Sequence, residues 1–260
     1  YGSLSVVLVF YLIALGLTAP QTGLLLSVTL IGDTIVSLYL TTRADRIGRR
    51  RMLMVGAVLM ASAGLAFAAT RNLWLLMVAG TIGVISPSGN EVGPFLSIEQ
   101  AALSHVVTDR TRTDVFAWYA LAGSLATALG ALAGGTLTRA LQDAAMPPVS
   151  SYRMVVLLYA ALGGALACLF TRLSPAAEAS TPGVTTPART TLAGLSGLGR
   201  SRQVVFKLSG LFALDAFGGG FVVQSFAAYW FSLRFGVNPG RLGVIFFWAK
   251  ACGQSSGWVT

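Results

Sequence analysis

Residues 1–40 carry one charge, Asp33, and residues 52–70 carry none. The residues between them read Thr41-Thr42-Arg43-Ala44-Asp45-Arg46-Ile47-Gly48-Arg49-Arg50-Arg51. Two apolar stretches of membrane length joined by a tight basic turn leave few ways to fold. A segment alone in hydrocarbon finds no water for its N–H and C=O groups and must satisfy them internally, as a helix. The rest of the chain repeats the pattern. Eight hydrophobic segments run over about 1–16, 20–41, 51–70, 73–98, 114–140, 151–172, 204–235 and 240–260, against the ~20 apolar residues that cross a bilayer. The first is short for a span, and the last stops inside an apolar run at Thr260, so both ends read as cut. The fold class expected is all-α, a polytopic membrane protein.

The chain is 55% apolar and 10% charged, with a mean hydropathy of +0.73. Soluble domains carry roughly 25% charged residues, so most of this chain avoids water. The net charge of +9 raises nucleic acid as a partner, but the Lys and Arg residues gather in connecting loops rather than on one face. Topology explains them better, and no nucleic-acid role is expected. Twelve of the eighteen (Arg43, Arg46, Arg49, Arg50, Arg51, Arg110, Arg112, Arg172, Arg189, Arg200, Arg202, Lys207) fall on one side of the alternating segments. Five (Arg71, Arg139, Arg153, Arg234, Arg241) fall on the other, and Lys250 lies inside the eighth segment. Loops rich in Lys and Arg stay on the cytoplasmic side. That rule places the N-terminus and the crowded loops in the cytoplasm, with the plasma (inner) membrane as the expected site.

Cys168 and Cys252 lie far apart in apolar runs, without metal-ligand spacing, and read as small buried thiols. There is no nucleophile elbow, no HExxH helix and no P-loop. No catalytic residue, cofactor or metal is therefore expected.

Residues 174–203 begin Ser-Pro-Ala-Ala-Glu-Ala-Ser-Thr-Pro-Gly and continue rich in Thr, Gly and Arg, the composition of a flexible linker. They divide a six-segment bundle over 1–173 from the start of a second bundle over 204–260. An internal echo supports the division. A shift of 220 residues lays Gly16-Leu17-Thr18-Ala19-Pro20-Gln21-Thr22-Gly23 over Gly236-Val237-Asn238-Pro239-Gly240-Arg241-Leu242-Gly243. Thr18 and Asn238 take helix N-cap positions with Pro just inside. The echo joins segment 1 to segment 7, as a repeated six-helix unit requires.

The basic run carries the resemblance to a known family. Ala44-Asp45-Arg46-Ile47-Gly48-Arg49-Arg50 is similar to the loop between helices 2 and 3 of the major facilitator superfamily of transporters. That loop reads Gly-x-Leu-Ala-Asp-Arg-x-Gly-Arg-Arg/Lys; Thr41 and Arg43 stand here in place of its Gly and Leu. Its position matches too, between the second and third segments and on the cytoplasmic side. The resemblance implies the fold of that family and secondary active transport of a small solute by alternating access, in a protein monomeric at full length. It also implies that Asp45, Arg46, Gly48, Arg49 and Arg50 hold the cytoplasmic ends of the two halves together in the outward-open state. Gly48 permits the turn, Asp45 can accept hydrogen bonds at a helix end, and the arginines can clamp carboxylates bidentately. Glu99, at the cytoplasmic end of segment 4, and Arg112 are the expected partners. Gly130-Ala131-Leu132-Ala133-Gly134-Gly135 resembles part of the helix-5 motif of drug-proton antiporters without its Pro, and tight helix packing is its main reading.

Polar groups at membrane depth are costly and are functional candidates by default. Asp33 lies about 20 Å along segment 2 at 1.5 Å per residue. Segment 4 holds Ser86-Pro87-Ser88-Gly89-Asn90-Glu91-Val92-Gly93-Pro94, whose prolines interrupt a helix and free carbonyls towards a cavity. Asn90 and Glu91 are therefore read as cavity-lining, and a carboxyl desolvated at that depth suits proton exchange. Gln224 falls closer to mid-depth in segment 7 than Asp215 does, and first and seventh helices line the central path in the family resembled. His105 reads as a surface residue, and Tyr229 and Trp230 as part of an aromatic belt. Lys250 and Gln254, one helical turn apart, could face the cavity and attract an anion. The partners expected are a small solute, protons and the lipid bilayer, with efflux by antiport one form of the activity. The alternative is a polytopic receptor or scaffold without transport, which would not need Asp33, Asn90, Glu91 and Gln224 together.

Overall fold

The computed structural model describes residues 1–83, 85, 94–108, 111–173, 202–220 and 223–255. Among these there are ten α-helices and no strand: α1 (Gly2–Ala14), α2 (Ala19–Ile47), α3 (Arg49–Ala69), α4 (Leu73–Ile82), α5 (Pro94–Val106), α6 (Arg112–Asp143), α7 (Pro148–Phe170), α8 (Arg202–Gly220), α9 (Gln224–Phe235) and α10 (Pro239–Ser255). Eight expected segments become ten helices because two of them divide. Segment 4 supplies α4, which closes at Gly83, and α5, which opens on Pro94. Segment 7 supplies α8, which ends on the run Gly218-Gly219-Gly220, and α9. The described non-helical residues at these divisions are Gly83 and Ile85 in segment 4 and Val223 in segment 7. α2 (over Ala19–Ala44), α3, α6 and α7 are long and apolar enough to cross a membrane.

The echo between residues 16–23 and 236–243 has a structural counterpart. Gly16 and Gly236 both adopt positive φ, 97° and 63°, a conformation open to a residue without Cβ. Thr18 then caps α2, accepting from Gln21 N at 3.4 Å while Gln21 Oε1 accepts from Thr18 N at 2.9 Å. Asn238 caps α10 by accepting from Arg241 N at 2.9 Å. Each turn thus reverses the chain with a left-handed glycine and restarts it with a polar cap and a proline.

Residues Tyr1–Ala179 and Gln224–Thr260 form one compact unit, and residues Ser180–Val223 form another. The second unit contains α8, an apolar helix with Phe206, Leu211, Phe212, Leu214 and Phe217 exposed. In the first, α1 is the central post. Every residue over 2–9 is buried, a helix apolar all round and enclosed all round. It packs against α6, α7, α9 and α10, and Tyr11 Oη donates to Phe67 O of α3 at 2.8 Å. Around it, helices meet through small residues. A Cβ on Gly134 of α6 would lie 2.7 Å from Ser3 Cα of α1, and one on Gly243 of α10 would lie 2.7 Å from Ala131 O of α6. Gly130 and Gly134 therefore serve close packing on α1 and Gly135 on α10. α3 and α7 use the same device, since a Cβ on Gly64 would lie 2.8 Å from Ala160 Cβ.

The two cysteines correct an expectation. Cys168 and Cys252 are both exposed rather than buried. A small apolar thiol gains nothing from the interior when its alternative surroundings are lipid tails as apolar as the core.

Candidate functional site

Three polar constellations sit within the apolar unit. The first joins α1 to α9, elements 219 residues apart. Gln224 Nε2 donates to Ser5 Oγ at 3.1 Å, Ser225 Oγ donates to Ser5 O at 2.7 Å, and Ser5 Oγ donates to Gly2 O at 2.8 Å. Ser5 and Ser225 are fully buried. Gln224 opens α9 immediately past the break in segment 7, so the interruption sets an amide against the central helix. The sequence reading picked Gln224 and missed Ser5. The available signal was that Ser5, like Ser3, is a polar residue within a mostly apolar segment.

The second constellation surrounds Asp33, which is 1% exposed on α2. Its Oδ1 has no hydrogen-bond partner among the described residues, and neither does Oγ of Ser37, one turn further along the helix. Tyr159 of α7 is fully buried as well. The Tyr159 ring is met edge-on by Tyr1 at a centroid distance of 6.0 Å. A buried carboxyl oxygen with spare hydrogen-bonding capacity is costly in an apolar interior. It can take up a proton or a cation.

The third lies where α2 passes into α3. Gly48, at φ 111°, donates its N–H to Ala44 O at 2.9 Å, ending α2 and starting α3 at the next residue. Arg49 is 3% exposed, and its Nη1 donates to Ala101 O of α5 at 3.4 Å, two residues from Glu99. Arg50 Nη2 donates to the carbonyl of Thr171, the residue that ends α7. Arg112 Nη2 donates to Ser104 O at 3.4 Å. Glu99 accepts from Tyr119 Oη of α6. The loop arginines thus fasten on helix carbonyls. At the end of α7 the guanidinium meets an unsatisfied carbonyl at the negative pole of the helix dipole, a favourable place for a cation.

The side chains of Asp45 and Arg46 fall outside the described residues, as do Asn90 and Glu91 entirely, so those four expectations carry no structural account. The side chains of His105, Asp215 and Gln254 are likewise outside it. Tyr229 turns inward, its ring 5.8 Å from that of Phe10, while Trp230 is exposed as an aromatic belt requires. No group of three or more His, Cys, Asp or Glu that could hold a metal occurs among the described residues.

Comparison with known proteins adds an independent line. The sequence profile described as Major Facilitator Superfamily matches residues 1–258. An uncharacterized membrane protein of Saccharomyces cerevisiae is 34% identical over 271 residues, covering 95% of this chain and 60% of that protein. A Na(+), Li(+), K(+)/H(+) antiporter of Planococcus maritimus is 30% identical over 115 residues, covering 44% of this chain and 27% of that protein. The chain therefore spans less than two thirds of the length of either curated relative.

Proposed function

This chain belongs to the major facilitator superfamily, a family of membrane transporters, and from that premise we propose that it forms most of a secondary active transporter coupled to protons. In this reading residues 1–173 are the first six-helix half, 174–203 a cytoplasmic linker, and 204–260 the opening of the second half. The N-terminus and linker face the cytoplasm of a cell whose plasma membrane holds the protein. The protein is no enzyme and acts as a monomer. Its halves rock about a central path, and a bound solute biases the inward-open and outward-open states by binding them unequally.

The observation that carries the reading is the polar junction of α1 with α9. The first helix of one half meets the seventh segment of the chain through fully buried Ser5 and Ser225 and half-buried Gln224, within an apolar unit. A rigid scaffold gains little from such groups, because hydrogen bonds between membrane helices contribute only about 0.6 kcal/mol on average. Groups that must be solvated in one state and paired in another have a reason to be polar. Asp33 supplies a proton acceptor, and Asn90 and Glu91 are the further groups in segment 4 assigned to solute and proton in this reading. The antiporter relative supports exchange of a solute for protons.

Solute flux driven by a pH gradient in proteoliposomes of the complete protein tests the proposal, with Glu91→Gln beside the native protein. Native flux that collapses in E91Q is the expected result. Flux equal in the two would remove Glu91 from coupling. Absence of flux under either gradient would favour a receptor or scaffold.

A further inference from the structure

We propose that an apolar groove along the first three turns of α3 seats one acyl chain of an anionic phospholipid, whose phosphate rests on Arg51. The groove measures about 500 Å³ and runs between Ile47, which ends α2, and Arg51, Met54, Val55, Val58 and Leu59 of α3. It is separate from Asp33, from the junction of Ser5 with Gln224, and from the contacts of Arg49 and Arg50.

The two ends of the groove follow from the sequence. Arg51, Val55 and Val58 recur at intervals of four and three residues, so one face of α3 carries a cation at its start and branched apolar side chains beyond it. All three are exposed. From Arg51 to Leu59 the helix rises about 12 Å at 1.5 Å per residue. Charge first and hydrocarbon next is the order of a lipid entering a leaflet. Of the three consecutive arginines, Arg49 donates to Ala101 O and Arg50 to Thr171 O, whereas Arg51 makes no hydrogen bond or ion pair with another described residue. Arg43 stands one turn before Ile47 on the same face of α2, its guanidinium 5.3 Å from the Tyr39 ring centroid. No Asp or Glu is among the described residues that line the groove. A phosphodiester supplies the anion that this end lacks, and a guanidinium binds phosphate oxygens two at a time.

The walls favour a lipid chain over another helix. Helices of this unit meet where small residues let backbones approach, as Gly64 meets Ala160 and Gly134 meets Ser3. The described residues lining the groove include no Gly, Ala or Ser. Branched side chains and the adaptable Met52 and Met54 suit a flexible occupant that fits itself to the walls. Anionic leaflets draw basic segments, and one Arg near the surface favours binding by about fivefold. That the leaflet is the cytoplasmic one rests on the orientation proposed above; the preference for an anionic lipid does not.

Photolabelling of the complete protein in phosphatidylcholine nanodiscs tests the site. One preparation is doped with phosphatidylglycerol bearing a diazirine on its acyl chain, and a second with the matching diazirine phosphatidylcholine. Mass spectrometry should find phosphatidylglycerol label on residues 54–59 and several-fold less from phosphatidylcholine. Arg51→Gln should cut the phosphatidylglycerol label about fivefold. Arg71→Gln, at an exposed arginine beyond the other end of α3, should leave it unchanged. Val58→Trp, which fills the groove from an exposed position, should lower the label from both lipids. Excess glycerol phosphate should not compete; competition would mean a site for free phosphate and overturn the proposal. Equal labelling by the two lipids, or equal losses in R51Q and R71Q, would also overturn it. Absence of label from residues 54–59 would refute it and leave this face to another segment of the protein. If a variant fails to fold, the two lipids on the native protein still decide. Lipid labelling and solute flux are separate readouts, so either proposal can fail while the other stands.

Discussion

Asp33 gives the sharpest separation of stability from function. The residue is 1% exposed, and its Oδ1 lacks a partner among the described residues. Leaving a buried polar group unsatisfied costs about 1–3 kcal/mol, and removing it in favour of an apolar group of similar shape recovers much of that. Val is the closest apolar match, and its helix propensity is near that of Asp. Asp33→Val should therefore raise stability by about 1–3 kcal/mol, or roughly 2–12 °C at 2–4 °C per kcal/mol for a chain of this size. Asp33→Asn, which keeps the shape and polarity but cannot titrate, should leave the melting point within about 2 °C. Both substitutions should abolish proton-driven flux if Asp33 carries the proton. The assay is paired: thermal unfolding in detergent and pH-gradient-driven flux in proteoliposomes, on the same preparations. A destabilised D33V would show that the carboxyl is satisfied and structural. Full flux in D33N would show that it carries no proton.

Other consequences follow from the packing and the gate. Gly243→Val should cost at least about 1–3 kcal/mol by overpacking, because its Cβ would meet Ala131 O at 2.7 Å. Gly164→Ala, with nothing within 4 Å, should be neutral or stabilising by about 0.5–1 kcal/mol; denaturation midpoints of the two variants check the contrast. A double-mutant cycle of Ser5→Ala with Gln224→Leu should return a coupling of about 0.6 kcal/mol and no more than about 1.7; zero coupling would remove that hydrogen bond. Arg49→Ala should impair stability and flux more than Arg51→Ala, since Arg49 is buried against α5 while Arg51 is exposed, and equal effects would count against the clamp at Ala101.

Much of the architecture was legible because membranes narrow the choices. The caps at Thr18 and Asn238 have a local physical cause and are seen in the helices, while the basic run at 41–51 proves helical except for the turn at Gly48. The interruption of segment 4 was announced by its prolines, whereas segment 7 was read as continuous and divides into α8 and α9. Which faces are buried was not legible. α1 and α4 are both predominantly apolar, yet α1 is enclosed while Trp74 of α4 is 72% exposed. Lipid and protein are equally acceptable to an apolar face, so hydropathy carries no sign of the difference. The same limit misplaced the two cysteines. Ser5 escaped notice because its partners, Gln224 and Ser225, come from the far end of the chain, and no periodicity links them.

The central claim is that solute and proton move through one protein in exchange. The direct measurement places the complete protein in liposomes loaded with a pH-sensitive dye, without ATP, and adds candidate solutes one at a time, Na+, Li+ and K+ included. The account predicts an immediate internal pH change with at least one solute, absent from protein-free liposomes and lost in D33N. Solute uptake that leaves internal pH unmoved in proton-tight vesicles would contradict it.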